Sequence, residues 1–164
     1  MAESGCIKNM NIESLGVNGI ILGARRPTKL LVDKTTGDLD AITAAESGTI
    51  YLLPALTNAT QAIALPSCAN SVGCTYTFVV VGATAAQVFT VGGADSEKIL
   101  AVKPKGDGDN TAISQGYDTI GFKAAAPIGS SFKVTCLSST AAHAWLGHDI
   151  IDGIEINVGG IDLA

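Results

Sequence analysis

Residues 47–94 read SGTIYLLPALTNATQAIALPSCANSVGCTYTFVVVGATAAQVFTVGGA, and none of these 48 positions carries a charge. Polarity along the stretch comes from Thr, Ser, Asn and Gln alone. Four short segments stand out, ESGTIYLLP (from Glu46), QAIALP, CTYTFVVVG and AQVFTVGG. Each is rich in β-branched or aromatic residues, and Pro, Gly, Asn and Ser separate them. In an extended chain Ile63 and Leu65 share a face, as do Tyr76, Phe78 and Val80. No window offers a 3.6-residue apolar stripe with caps, so the stretch predicts strands and not long helices.

The same style continues downstream in SEKILAVK, DTIGFKA, SSFKVTCLS and HAWLGHD. Ile120 with Phe122, and Phe132 with Val134 and Cys136, alternate with polar or small residues. KGDGDNTA and LSSTAA have the composition of turns. About eight strands at spacings of roughly 10–15 residues predict an all-β fold, a single sandwich or a jelly-roll or barrel-like domain, over residues 46–164. The tail DGIEINVGGIDLA alternates Ile154, Ile156 and Val158 and reads as a last strand or a second arm. Residues 1–45 are more charged, lack strict alternation and include the basic patch Arg25, Arg26, Lys29 and Lys34. They read as an extended N-terminal arm or strand-poor subdomain, with NGIILG and KLLVD as short strands. The plainer alternative makes them the first part of the sandwich.

A chain of 164 residues and 16.6 kDa fits one compact domain. Ten basic residues against 15 acidic ones give a net charge of −5, which argues against nucleic acid or an anionic membrane as the main partner. Charged residues make up 15%, below the usual share of about 25%, so the surface is unusually neutral. The opening MAESGCIKNMNIES has no basic-then-apolar pattern of a secretory signal, and no run of about 18 apolar residues occurs. These features predict a soluble protein made in a cytoplasm.

Residues that could carry chemistry are sparse. Cys6, Cys68, Cys74 and Cys136 include no C-x-x-C pair, and Cys68 and Cys74 have no second pair to complete a zinc site. A bridge between those two is conceivable across a turn, with buried or idle thiols as the alternative. His143 and His148 lie near Asp149 and Asp152, but a five-residue offset sends the two imidazoles to opposite faces of a strand. Asp107, Asp109, Thr111 and Asp118 follow positions 1, 3, 5 and 12 of a calcium loop, yet Ala112 replaces its glycine and no helix flanks it. No G-x-S-x-G elbow or phosphate loop is present. Trp145 reads as core or interface. The expectation is a protein without catalytic residues, cofactor or metal.

Interface centres are depleted in charge, and symmetric self-association is a common way to cover neutral surface. Physical reading of the residues therefore ends at a structural or interaction β-protein that forms oligomers.

The order Glu46, Ser47, Gly48, Leu53, then Ala62, Ala64, Leu65, Pro66, then Gly73 to Val80 resembles the small capsid decoration, or cement, proteins of tailed bacteriophages. Their D-x-I-x-F strand has its counterpart in Asp118, Ile120 and Phe122, and their closing stretch in Gly129, Val134, Ser138, Trp145 and Gly147. The likeness spans about residues 46–150. Ala-Leu-Pro stands here for their usual Thr-Leu-Pro, and a longer Ser-Ser-Thr-Ala-Ala turn precedes Trp145. The resemblance implies a non-enzymatic virion protein on the capsid exterior, commonly a homotrimer, that clamps neighbouring major capsid proteins. On that basis Arg25, Arg26, Lys29 and Lys34 are the expected capsid contacts and the neutral β-body the trimer contact. Another virion component, such as a head fibre, spike or tail protein recognising a host surface, is the alternative.

Overall fold

Alternation of buried with half-exposed residues along short extended segments builds two sheets. The computed structural model describes residues 26–33, 41–57, 60–83, 88–94, 97–101, 118–140, 144–151, 154–158 and 161–162. The strands are β1 (Thr28–Leu30), β2 (Ile50–Leu53), β3 (Gln61–Ala64), β4 (Thr75–Val80), β5 (Phe89–Gly92) and β6 (Ile99–Ala101). They continue with β7 (Thr119–Phe122), β8 (Ser131–Cys136), β9 (Trp145–Ile151), β10 (Ile154–Val158) and β11 (Ile161–Asp162). One sheet has the order β1-β2-β4-β8-β9-β6 and the other β11-β10-β7-β5-β3. The protein is an all-β sandwich.

From β2 to β8 each strand lies in the sheet opposite to its predecessor. Next-but-one strands therefore become sheet neighbours, parallel for β2 with β4 and β3 with β5 and antiparallel for β5 with β7. Parallel pairing also joins β1 to β2 and β6 to β9. This winding is neither a closed barrel nor an antiparallel jelly roll.

The expected faces are the buried ones. Tyr76, Phe78 and Val80 of β4 point inward with Phe132, Val134 and Cys136 of β8, while Ile63, Phe89, Val91, Ile120 and Phe122 close the core from the second sheet. Tyr51 stacks on Phe78 at 5.4 Å, Phe78 meets Phe132 at 5.1 Å, and Phe132 meets Phe122 at 5.0 Å. This aromatic row crosses from one sheet to the other. Gly82 allows the end of β4 to pass the β2–β3 connection, since a Cβ there would lie 2.2 Å from the Ala55 nitrogen.

Residues grouped with the arm are in part structural elements of the sandwich. Thr28–Leu30 is an edge strand paired with Ile50–Leu52 that takes in Lys29 and Leu30 of KLLVD and ends before Leu31, and Ile42 is buried in the core. NGIILG lies outside the described residues. Asp33 ties this segment down by accepting from the backbone N–H and hydroxyl of Thr57 and from Gln61 Nε2.

Tyr51 and Tyr76 are fully buried, and Tyr76 donates its hydroxyl to the Thr43 carbonyl at 3.0 Å. Burial pushes both phenols above their ordinary range, and the negative charge of Glu46 adds to this at Tyr51. A raised acid stays neutral in the folded chain after its unfolded counterpart has ionised, so this stabilisation is intact below about pH 10 and lost as pH rises above it. Stability should then fall with a slope of about one proton per buried tyrosine. In an alkaline titration, phenolate absorbance from these two residues should rise together with loss of the β-sheet circular dichroism. Ionisation of both while the sheet signal is intact would contradict this account.

Candidate interaction face

The outer face of the six-stranded sheet can be read row by row from the pairing register. Leu30, Leu52, Val79, Ser131 and Ile151 line up across β1, β2, β4, β8 and β9. Leu30 and Ile151 are 61% and 59% exposed, with Leu52, Val79 and Ser131 half-buried between them. Val32 and Val81, the next outward positions beyond β1 and β4, are also exposed. The row is apolar because the outward positions of β2 and β4 come from the charge-free stretch. Its last member depends on a bulge: between the Lys133–His148 and Ser131–Ile151 pairs, β9 has two residues opposite one on β8. Asp149 occupies the bulge with a left-handed φ of 52°. The extra residue turns Ile150 onto the core and Ile151 outward.

A second row holds Thr28, Ile50, Thr77, Lys133 and His148. Here the face turns polar. Thr75 Oγ1 lies 3.0 Å from Thr135 Oγ1, which lies 2.9 Å from His148 Nε2, and His148 Nδ1 is 3.5 Å from Asp149 Oδ2. Lys133 donates to the same Asp149 oxygen and holds that carboxyl below its usual range. Hydroxyl, imidazole and carboxylate thus occur in the order used for nucleophilic catalysis. Lys133 occupies the carboxylate, and Thr75 hydrogen-bonds the hydroxyl, so the group forms a continuous polar band on the sheet.

The second sheet shows a different surface. Its outward positions on β3, β5 and β7 are Ala62, Ala64, Thr90, Gly92 and Thr119, all small, with Gly121 buried against Thr90. The two faces therefore differ: one carries an apolar row and a polar band, the other a low relief.

Of the expected capsid contacts, Arg26 is exposed. Lys29 donates to Glu46 Oε1 at 2.9 Å and stands 5.8 Å from the centre of the Tyr51 ring. Its hydrogen bond is the chief cause of a lowered Glu46 carboxyl. Arg25 and Lys34 lie outside the described residues, as do Cys6, His143, Asp152, Asp107, Asp109 and Thr111. Asp118, the last position of the calcium-like pattern, pairs with Lys98. Among the described residues no group of three or more His, Cys, Asp or Glu is placed to hold a metal ion. Also among them, no helix is long and apolar enough to cross a membrane.

Sequence reasoning missed two groups. The Thr135–His148–Asp149–Lys133 band joins residues from neighbouring strands, and only knowledge of the β8–β9 pairing would bring them together. Glu97 is the other. It is buried, and its carboxylate accepts from the Cys68 backbone N–H at 2.8 Å, Ser67 Oγ at 3.2 Å and Trp145 Nε1 at 3.2 Å.

No family model, curated protein or solved structure matches this chain. The functional reading accordingly rests on the residues themselves and on the geometry of this face.

Proposed function

We propose that the chain is a structural virion protein that binds the outer surface of an assembled phage head, associates with further copies of itself and clamps neighbouring major capsid subunits. The observation that carries this reading is the outer face of the six-stranded sheet, where an uncharged row, apolar but for Ser131 and exposed at its two ends, spans five strands. Such a surface has the composition of an interface centre, and the Lys133–Asp149 band beside it has that of a polar rim. Many weak copies on a repetitive shell add up to firm attachment. The resemblance of residues 46–150 to decoration proteins supports the same reading.

In this reading the neutral face meets other copies, and the basic segment meets the shell through Arg25, Arg26 and Lys34. Lys29 is bound to Glu46, so its first effect is on how β1 docks. An exposed pair of this kind is worth at most about 1 kcal/mol. Triple replacement of Arg25, Arg26 and Lys34 by Ala should weaken sedimentation with purified heads and leave the circular dichroism unchanged. Leu52→Asp with Val79→Asp should instead reduce self-association. Equal binding by the triple variant and the parent chain would overturn the arm assignment.

Quantitative mass spectrometry of purified particles from the protein's source tests the role as a whole. A ratio near one copy per major shell subunit, or a simple fraction of it, is the expected result. A handful of copies per particle would favour a fibre, spike or tail part, and absence would refute a virion role. The non-enzymatic part of the proposal fails if the chain hydrolyses an ester at a rate that His148→Ala abolishes.

A further inference from the structure

Cys68 follows Ser67 in a short 3-10 turn between β3 and β4, and Cys136 ends β8. They are 68 positions apart in the chain, yet their sulfurs lie 2.8 Å apart in the core. That separation falls between a sulfur–sulfur bond of about 2.05 Å and ordinary non-bonded contact. Both backbones are held in place. The Cys68 N–H donates to Glu97, the Cys136 N–H donates to the Cys74 carbonyl at 2.9 Å, and the Cys136 carbonyl accepts from Gly73 at 2.9 Å. Cys74, the partner that sequence spacing suggested for Cys68, directs its sulfur instead toward the Ala44 carbonyl at 3.7 Å.

We propose that Cys68 and Cys136 are the disulfide-forming pair of this chain, joining the β3–β4 turn to the end of β8. The oxidant class is a low-molecular-weight disulfide such as oxidised glutathione. One cysteine thiolate attacks it, forming a mixed disulfide and releasing one glutathione thiolate. The second cysteine thiolate then attacks the cysteine sulfur of that mixed disulfide and expels the other. The two cysteine protons end on the two glutathiones, so one disulfide is reduced as one is made. Burial raises both thiols and leaves no room for glutathione in the closed core, so exchange occurs while the chain folds or opens. The bond is independent of the virion role proposed above.

Refolding the full chain in a glutathione redox buffer, followed by thiol blocking and non-reducing tryptic mapping, tests this. Trypsin leaves Cys68 and Cys74 in one peptide, residues 35–98, and Cys136 in another, residues 134–164. The expected product is a cross-link between these two peptides that persists in Cys74→Ser and disappears in Cys68→Ser. An internal link within residues 35–98, a cross-link lost in Cys74→Ser, predominant pairing with Cys6, or fully blocked thiols would each overturn the proposal. Fragmentation of the parent chain's cross-linked pair, which locates the blocked thiol on Cys74 or on Cys68, decides even where a variant fails to fold. Closing a loop of this length should raise the melting temperature of the oxidised protein over the reduced one by on the order of 10 °C.

Discussion

Phe132→Ala should destabilise the sandwich by about 3–5 kcal/mol, a large part of the roughly 5–15 kcal/mol that holds a domain folded. Phe132 is fully buried and stands in the middle of the aromatic row, 5.1 Å from Phe78 in its own sheet and 5.0 Å from Phe122 in the other. Its removal opens a void between the layers and breaks the contact that joins them. The neighbours cannot collapse into the space without shifting paired strands on both sides of β8. Thermal unfolding followed by circular dichroism should show a midpoint lower by about 10 °C, at about 2–4 °C per kcal/mol for a chain of this size. Phe132→Leu retains most of the volume and should cost under about 1.5 kcal/mol. If Ala and Leu proved equally mild, the row would not be the seam between the sheets.

The second large effect is expected at Glu97. Its carboxylate receives the buried Cys68 N–H and Trp145 Nε1–H together with the Ser67 hydroxyl. Glu97→Ala strands these donors, and each buried donor left without an acceptor costs about 1–3 kcal/mol. The sum, with the void, should reach about 3 kcal/mol or more. Glu97→Gln keeps one acceptor oxygen but turns an amide N–H₂ toward the remaining donors, so it should fall between Ala and the parent. Trp145 is the sole tryptophan, which makes its emission a direct report. Denaturant titration should give a lower midpoint in the order parent, Gln, Ala, and the Ala variant should show altered Trp145 emission before unfolding. An unchanged midpoint for Ala would mean that water satisfies the three donors.

Strand positions and inward faces were legible because the period-two pattern is local: Tyr76, Phe78 and Val80 declare their side without reference to any other strand. Sandwich architecture followed from the number of such segments. Pairing was not legible, because Ile50 and Thr77 become neighbours only after the chain has visited the opposite sheet at β3. The same limit applied to the cysteines. Spacing made a bridge between Cys68 and Cys74 conceivable, whereas the fold brings Cys136 to Cys68. Glu97 escaped notice because an acid beside Lys98 reads as solvated, and its burial depends on Trp145 arriving from β9. The basic segment was visible as charge, but the Lys29–Glu46 pair was not, because its members lie 17 residues apart.

The alternating path between sheets also dictates the order in which the molecule can assemble. Local hairpins, which close in microseconds, give most β-proteins an early foothold. Here β3, β4 and β5 each find their sheet neighbours only across an intervening strand, and β4 gains its antiparallel partner β8 after more than fifty further residues. In the six-stranded sheet, β8 with β9 is the consecutive antiparallel pair among the described residues, and it lies late in the chain. A growing polypeptide thus has its most apolar, charge-free third synthesised well before the strands that cover it. Contacts of such long range make folding slow, in the millisecond-to-second range. Until β8 and β9 emerge, that third is the segment most exposed to aggregation and to chaperone capture.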